Sequence, residues 1–492
     1  MVRQQMVCVV TPDWPGQVDA VPAMQAALDR VMEAMGCVHF ASIAALPPAP
    51  GSAPGSLPSL MLELAVDEDI THADLVGRLV DQGLEALWPL YGPNSGAALI
   101  GTSERATWLR GWLLCHAIGA HGGYVGARDR TVQQILKEQE LYLQVRAKAD
   151  WLTAAGPLES QALALKLSAW ALGQEAFAWA RMPAPRNLWR RGGLKRSRNA
   201  LGMVALLLGC GAVATRIASD VCVAWYCEWP LLLGLVALQL VALAVVVLLL
   251  SPLMLSVMTA RRSLSGGLGR LVRRWDRARH ARATREVPRA QQVHPLVQRG
   301  EAALLGRPNH MISLTELRTP GVWHATCLKC GLGLITWVGR WLFAHGTLGS
   351  ATGIRFGHWH VIDGGRRLLF CSNFDGSFGG YLGEFIAGAT VGVNLFWSHT
   401  RLLPRPAAAP GHPEVQHARD FPPLRWGGLT GGCQFEQWFK TYARDSMLPH
   451  LYLYQAYPQS HAEVERATQL RDALFGPRNL VNDTLIAKAV RS

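Results

Sequence analysis

The chain has 492 residues, with 48 Lys and Arg against 35 Asp and Glu, a formal charge of +13, and ten cysteines. Residues 186–289 hold 17 of the basic residues and only four acidic ones, so the whole excess sits in one stretch and the rest of the chain is balanced. That distribution argues against a nucleic-acid partner, which needs a basic face on a folded domain, and cysteines without a dense spacing pattern exclude a disulfide scaffold and fit reduced thiols.

In the first part of the chain, VHFASIAAL (Val38 to Leu46) reads as a strand, followed by a Pro/Gly/Ser-rich loop. SLMLELAVDED (Ser59 to Asp69) reads as a second strand, and ADLVGRLVDQGLEALWPLYG after it has helical periodicity. Thr131-x-x-Gln134 fits a capping box at the start of a closing helix.

The middle is the most apolar part. Leu231 to Leu250 reads LLLGLVALQLVALAVVVLLL with Gln239 as its one polar residue, and Leu201 to Ser219 forms another apolar run. At about 1.5 Å per residue, twenty helical residues cross a hydrocarbon core of about 30 Å. Arg186 to Arg198 flank the first run and Arg261 to Arg289 the second, while only Arg216, Asp220 and Glu228 lie between. By the positive-inside rule this predicts a transmembrane hairpin over 186–290, with spans at about 200–220 and 231–257 and both flanking lobes cytoplasmic. The expectation is a multi-pass protein of the inner (cytoplasmic) membrane whose basic flanks meet anionic lipid headgroups.

In the last part, IRFGHWHVID (Ile354 to Asp363), a Gly-Gly turn and RLLFCSNFDG (Arg367 to Gly376) read as a hairpin, with the helical YLGEFIAGATVGVNLFW after it. A shift of 308 residues places Leu60 on Leu368, Leu62 on Phe370 and Asp67 on Asp375. A shift of 329 places Thr131-x-x-Gln134 on Ser460-x-x-Glu463, after the aromatic strand LYLYQAYP. The two halves therefore read as copies. The expected fold is α+β: two ferredoxin-like repeats over 1–185 and 291–492, paired as a pseudo-dimeric α/β barrel and separated by the transmembrane hairpin.

The run IRFGHWHVIDGGRRLLFCSNFDGSFGGYLGEFI, with LYLYQAYP downstream, resembles a poorly characterised group of bacterial membrane-associated proteins. These carry an "SNYDGSWESYLDDF"-like motif, from which this chain departs at Phe378-Gly379-Gly380. The same fragment is more weakly similar to the G-x-x-D-G motif of the dye-decolourising peroxidases, with Ser372 in place of the first Gly. That second resemblance implies a haem-dependent peroxidase centred on Asp375, the only setting in which a cofactor enters.

Asp375, Asn373 and Arg367 are the catalytic candidates; turn and N-cap roles are the competing reading of Asn373 and Asp375. His358 and His360 share one face of a strand and, with Phe374, Tyr452, Tyr454 and Trp438, are the ligand-binding candidates. The two histidines also read as polar surface on a half-buried strand, and no metal site is expected. Cys327-x-x-Cys330 lacks a second ligand pair and reads as helix core. The leading expectation is a binding or accessory module holding a small apolar or redox ligand between related lobes. A peroxidase-like oxidoreductase and an assembly scaffold are the alternatives.

Overall fold

The computed structural model describes residues 4–14, 20–49, 51–67, 71–92, 100–126, 130–182, 309–318, 321–342, 353–397, 399–402, 419–421 and 436–491. The first part runs β1 (Gln5–Thr11), α1 (Ala20–Ala23), α2 (Gln25–Met35), β2 (Val38–Leu46), β3 (Ser59–Val66), α3 (His72–Tyr91), α4 (Arg105–Cys115), β4 (Ala117–Gly119), β5 (Gly122–Val125), α5 (Val132–Thr153) and α6 (Ser160–Gly173). The last part runs β6 (Asn309–Leu317), α7 (Gly321–Leu342), β7 (Ile354–Ile362), β8 (Arg367–Phe374), α8 (Phe378–Trp397), β9 (Thr400–Leu402), β10 (Arg419–Asp420), α9 (Glu436–Ser446), β11 (Met447–Leu448), β12 (Tyr452–Gln455), α10 (His461–Phe475) and α11 (Leu480–Arg491).

These strands form two antiparallel sheets, β12-β2-β3-β1-β4 and β10-β9-β6-β8-β7-β5, with β11 also on β6. Each half sends its last strand to the other half's sheet. Thus β5 pairs with β7, Tyr124 opposite Gly357, and β12 pairs with β2, Tyr454 opposite Ala41. The halves match in detail: the register slips between Val38 and Phe40 in one sheet and between Ile354 and Phe356 in the other. Asp67 accepts the Val132 N–H that opens α5 at 2.8 Å, and Asp375 accepts the His461 N–H that opens α10 at 2.6 Å.

Local chemistry explains the hairpin and the caps. Asp363, Gly364 and Gly365 all have positive φ (54°, 66° and 92°), a turn that glycine allows at no steric cost. Ser460 and Glu463 form a reciprocal capping box, whereas Thr131 accepts the Gln134 N–H and the Gln134 side chain turns to Glu138.

Strand alternation sorts the side chains into two environments. Val7, Val9, Ile43, Leu62 and Leu64 face out beneath α2, α3 and α4. On the second sheet Trp359 and Phe370 face out against Phe396 and Trp397 of α8. The inner faces meet, since Cys8, Ala44, Leu46 and Met61 share one cluster with Ile312, Leu314, Ile362, Leu369 and Cys371. A separate core unites α5, α6, α10 and α11.

Among the described residues no helix is long and apolar enough to cross a membrane. The 20-residue α8 has five glycines, Glu384 and Asn394 diluting its apolar residues. The spans read at about 200–220 and 231–257, and with them the hairpin of 186–290, lie outside the described residues. The expected architecture of ferredoxin-like repeats separated by a transmembrane hairpin is therefore corrected to a mixed fold of helices and two antiparallel sheets. The multi-pass inner-membrane assignment is withdrawn with it.

Candidate functional site

Three successive rows of inward-facing residues define the space between the sheets. Met6–Ala65–Phe40 in the first sheet matches His310–Asn373–Phe356 in the second. Next come Cys8–Glu63–Ser42 and Ile312–Cys371–His358, then Val10–Met61–Ala44 and Leu314–Leu369–His360. The outer rows are mostly apolar and the central one is polar.

Glu63 organises the centre from a side chain only 1% exposed. It accepts hydrogen bonds from the Ser42 hydroxyl at 2.6 Å, from His310 Nε2 at 2.8 Å and from His358 Nε2 at 2.7 Å. Burial raises its pKa, but the charges and hydrogen bonds of His310 and His358 outweigh that and hold it well below the usual carboxylate range. His358 Nδ1 lies 2.7 Å from His360 Nε2. The network closes when His310 and His358 each aim an N–H at Glu63 and His360 aims its Nε2–H at His358. Nδ1 of His310 and Nδ1 of His360 are then left without a partner among the described residues.

Cys8 and Cys371 are free thiols with no exposed surface, and their sulfurs and one ring nitrogen of His358 lie within 4.8 Å of one another. Burial raises the Cys8 thiol, but hydrogen bonds to Cys371 and His360 and the charge of His360 bring it down to about 7. Burial, Cys8 and Glu63 push Cys371 well above the usual thiol range. Beside His310, whose ring centroid lies 6.1 Å away, burial and the His310 charge push His450 down to about 4.

The residues expected from the sequence fall in several places. His358 and His360 are fully buried, which corrects their reading as polar surface. Asp375 is the N-terminal anchor of α10 and accepts Arg355 Nε at 2.7 Å, so both its oxygens are engaged. Arg367 sits at the far end of β8, bonded to Asp363 and to the Pro47 carbonyl, and the structure does not bring it to Asp375. Asn373 faces the interior one row from Cys371, with neither amide atom partnered among the described residues.

Phe374 stacks on Tyr381 of α8 at 4.0 Å. Tyr452 and Tyr454 belong to the outer core of the first sheet, so they line no cleft with His358. Trp438 lies on α9 with its side chain outside the described residues. Cys330 is exposed on α7, and the Cys327 side chain lies outside the described residues.

Sequence reasoning missed Glu63, His310 and the part played by Cys8. Glu63 and Cys8 stand alone in mid-strand among apolar neighbours (SLMLELAV, QMVCVVT), and that isolation was the available signal, whereas His310 shares its strand with several other polar residues (NHMISLTEL) and gave none. Compared with known proteins, the chain matches no family model, no curated protein and no solved structure.

Proposed function

We propose that the protein binds a soft transition-metal ion between its two sheets, with Cys8, Cys371 and His358 as ligands and Glu63 as the carboxylate that orients His358. The observation that carries this reading is the convergence of two thiols and an imidazole from opposite ends of the chain, inside an apolar interface. Two sulfurs and a ring nitrogen select zinc or cuprous copper over the hard cations. His358 supports the same choice, because a ligating histidine characteristically gives its other N–H to a carboxylate, as His358 Nε2 does to Glu63.

Ligation through Nδ1 requires His360 to turn aside, and His360 is then free to supply a fourth ligand through its own ring. A tetrahedral ion about 2.3 Å from sulfur and about 2.0 Å from nitrogen sets its ligand atoms roughly 3.3–3.8 Å apart, within the 4.8 Å limit that encloses the three atoms here. Such an ion ties β1 to β7 and β8 and so fastens the two halves together. Polar clusters of this kind cost stability relative to an apolar core, which is the physical reason to assign them a ligand.

A redox dithiol is the second reading, favoured by the contact between Cys8 and Cys371 and by the low pKa of Cys8. Elemental analysis of the purified full chain separates the two. The metal reading predicts about one equivalent of zinc or copper, lost in the Cys8→Ser/Cys371→Ser double variant and retained in Cys330→Ser. It fails if the reduced chain neither carries nor takes up metal, and a disulfide between Cys8 and Cys371 in that chain establishes the second reading.

A further inference from the structure

Beside the central row, at the end of the interior closed by α5 and α10, the structure leaves a group of buried polar atoms without partners. Arg355 is 3% exposed and gives its Nε–H to Asp375, but neither Nη1 nor Nη2 has a partner among the described residues. Asn373, with no exposed surface, has both amide atoms unpartnered among the described residues, and His310 Nδ1 is in the same condition. These groups are neighbours by register. Asn373 lies directly between His310 and Phe356, Arg355 precedes Phe356, and Asp375, the partner of Arg355, follows just past the end of β8.

Buried donors and acceptors are almost always paired in folded proteins, and an unpaired guanidinium N–H is among the most costly to leave. Three such side chains at one end of a sheet sandwich mark a place built for a guest. The aromatic rings of Phe40 and Tyr457 lie 5.8 and 5.6 Å from the Arg355 guanidinium carbon and give that guest an apolar wall.

The geometry points to a second binding site here, for a small organic acid. Its carboxylate takes the paired Nη hydrogens of Arg355, and Asn373 and His310 read the polar group beyond it. A guanidinium with two free N–H groups presents a fork that matches two carboxylate oxygens, which an ammonium cannot do. Asn373 offers a donor and an acceptor together, which suits a hydroxyl or keto oxygen on the neighbouring carbon. The Arg355–Asp375 pair is electrically balanced before the guest arrives, so the selection comes from hydrogen-bond geometry more than from net charge. The site uses none of the proposed metal ligands and stands without the metal reading.

Equilibrium dialysis of radiolabelled acetate, lactate, pyruvate and oxalate against the full chain, treated with a chelator to remove metal, tests this directly. Saturable binding of at least one acid is expected, weakened about tenfold or more in both Arg355→Lys and Asn373→Ala. Carbon-13 NMR of the same acid with the wild-type chain supplies a readout that needs no variant, because a bound carboxylate gives a shifted or broadened resonance. No saturable binding to the wild type overturns the proposal and leaves buried water as the partner of these groups. Binding that survives unchanged in both variants overturns it equally.

Discussion

Substituting Glu63→Leu strands three donors at once: the Ser42 hydroxyl and the Nε2–H groups of His310 and His358, all within 2.8 Å of the carboxylate. Ser42 can rotate away, but the two imidazoles are held on strands and cannot. Removing one partner from a buried charged network costs about 3–5 kcal/mol, and the added apolar burial of Leu returns roughly 1 kcal/mol, so a net loss of about 3 kcal/mol is expected. Glu63→Gln has a different cost. Its remaining carbonyl oxygen still serves Ser42 and His310, and its amide meets His358 Nε2. His358 answers by moving its proton to Nδ1, and His360 follows through their 2.7 Å contact, passing the proton to its own unpartnered Nδ1. That shift limits the loss to about 1–2 kcal/mol. Urea unfolding followed by tryptophan fluorescence, with equal m values, measures both. Equal losses for the two variants, or a loss under about 0.5 kcal/mol for Glu63→Leu, refute this account of the network.

The remaining predictions concern the frame around it. Burial, and then Arg355, push His39 down to about 3, so below its ordinary pKa of about 6.5 the unfolded chain takes the proton first. Stability should fall with acid from about pH 6.5 toward pH 3, by up to about 1.4 kcal/mol per unit, and His39→Gln should reduce that slope in urea titrations; an unchanged slope contradicts the assignment. Glu63 adds to this loss only in the acidic part of that window and below it, its contribution present above about pH 4.3 and lost as pH falls through its depressed pKa. A Cβ at Gly126 would stand 2.3 Å from the Ile354 carbonyl oxygen, whereas one at Gly123 meets the flexible end of Met6 at 2.5 Å. Gly126→Ala should therefore cost about 3 kcal/mol or more and Gly123→Ala about 1 kcal/mol, a difference read from unfolding midpoints. Asp375→Asn keeps an acceptor for the His461 N–H but turns its amide N–H toward Arg355 and removes the counter-charge, so it should cost about 2 kcal/mol, and Asp375→Ala, which removes both acceptors, about 3 kcal/mol or more; a loss under about 0.5 kcal/mol in Asp375→Ala would show that the pair does not hold α10.

The β7–β8 hairpin was legible because Asp363, Gly364 and Gly365 announce a left-handed turn between two β-rich runs. The common face of His358 and His360 followed from strand alternation alone. Exchange of β5 and β12 was not legible. Four-residue strands such as GGYV carry too little pattern to name a partner. The centre of the site was hidden for the same reason: Cys8 and Glu63 approach His358 and Cys371 only because two sheets from distant parts of the chain meet face to face. The tyrosines misled because alternation tells which residues share a face but not which face is inside; Tyr452 and Tyr454 lie on the outer one.

X-ray absorption at the zinc edge, on full-length protein loaded with one equivalent of zinc, probes the proposed ion most directly. Two sulfur neighbours at about 2.3 Å with one or two nitrogens at about 2.0 Å are predicted, and the sulfur shell should vanish in Cys8→Ser/Cys371→Ser. A first shell made only of nitrogen and oxygen, or one indifferent to those substitutions, would contradict a metal held between the sheets.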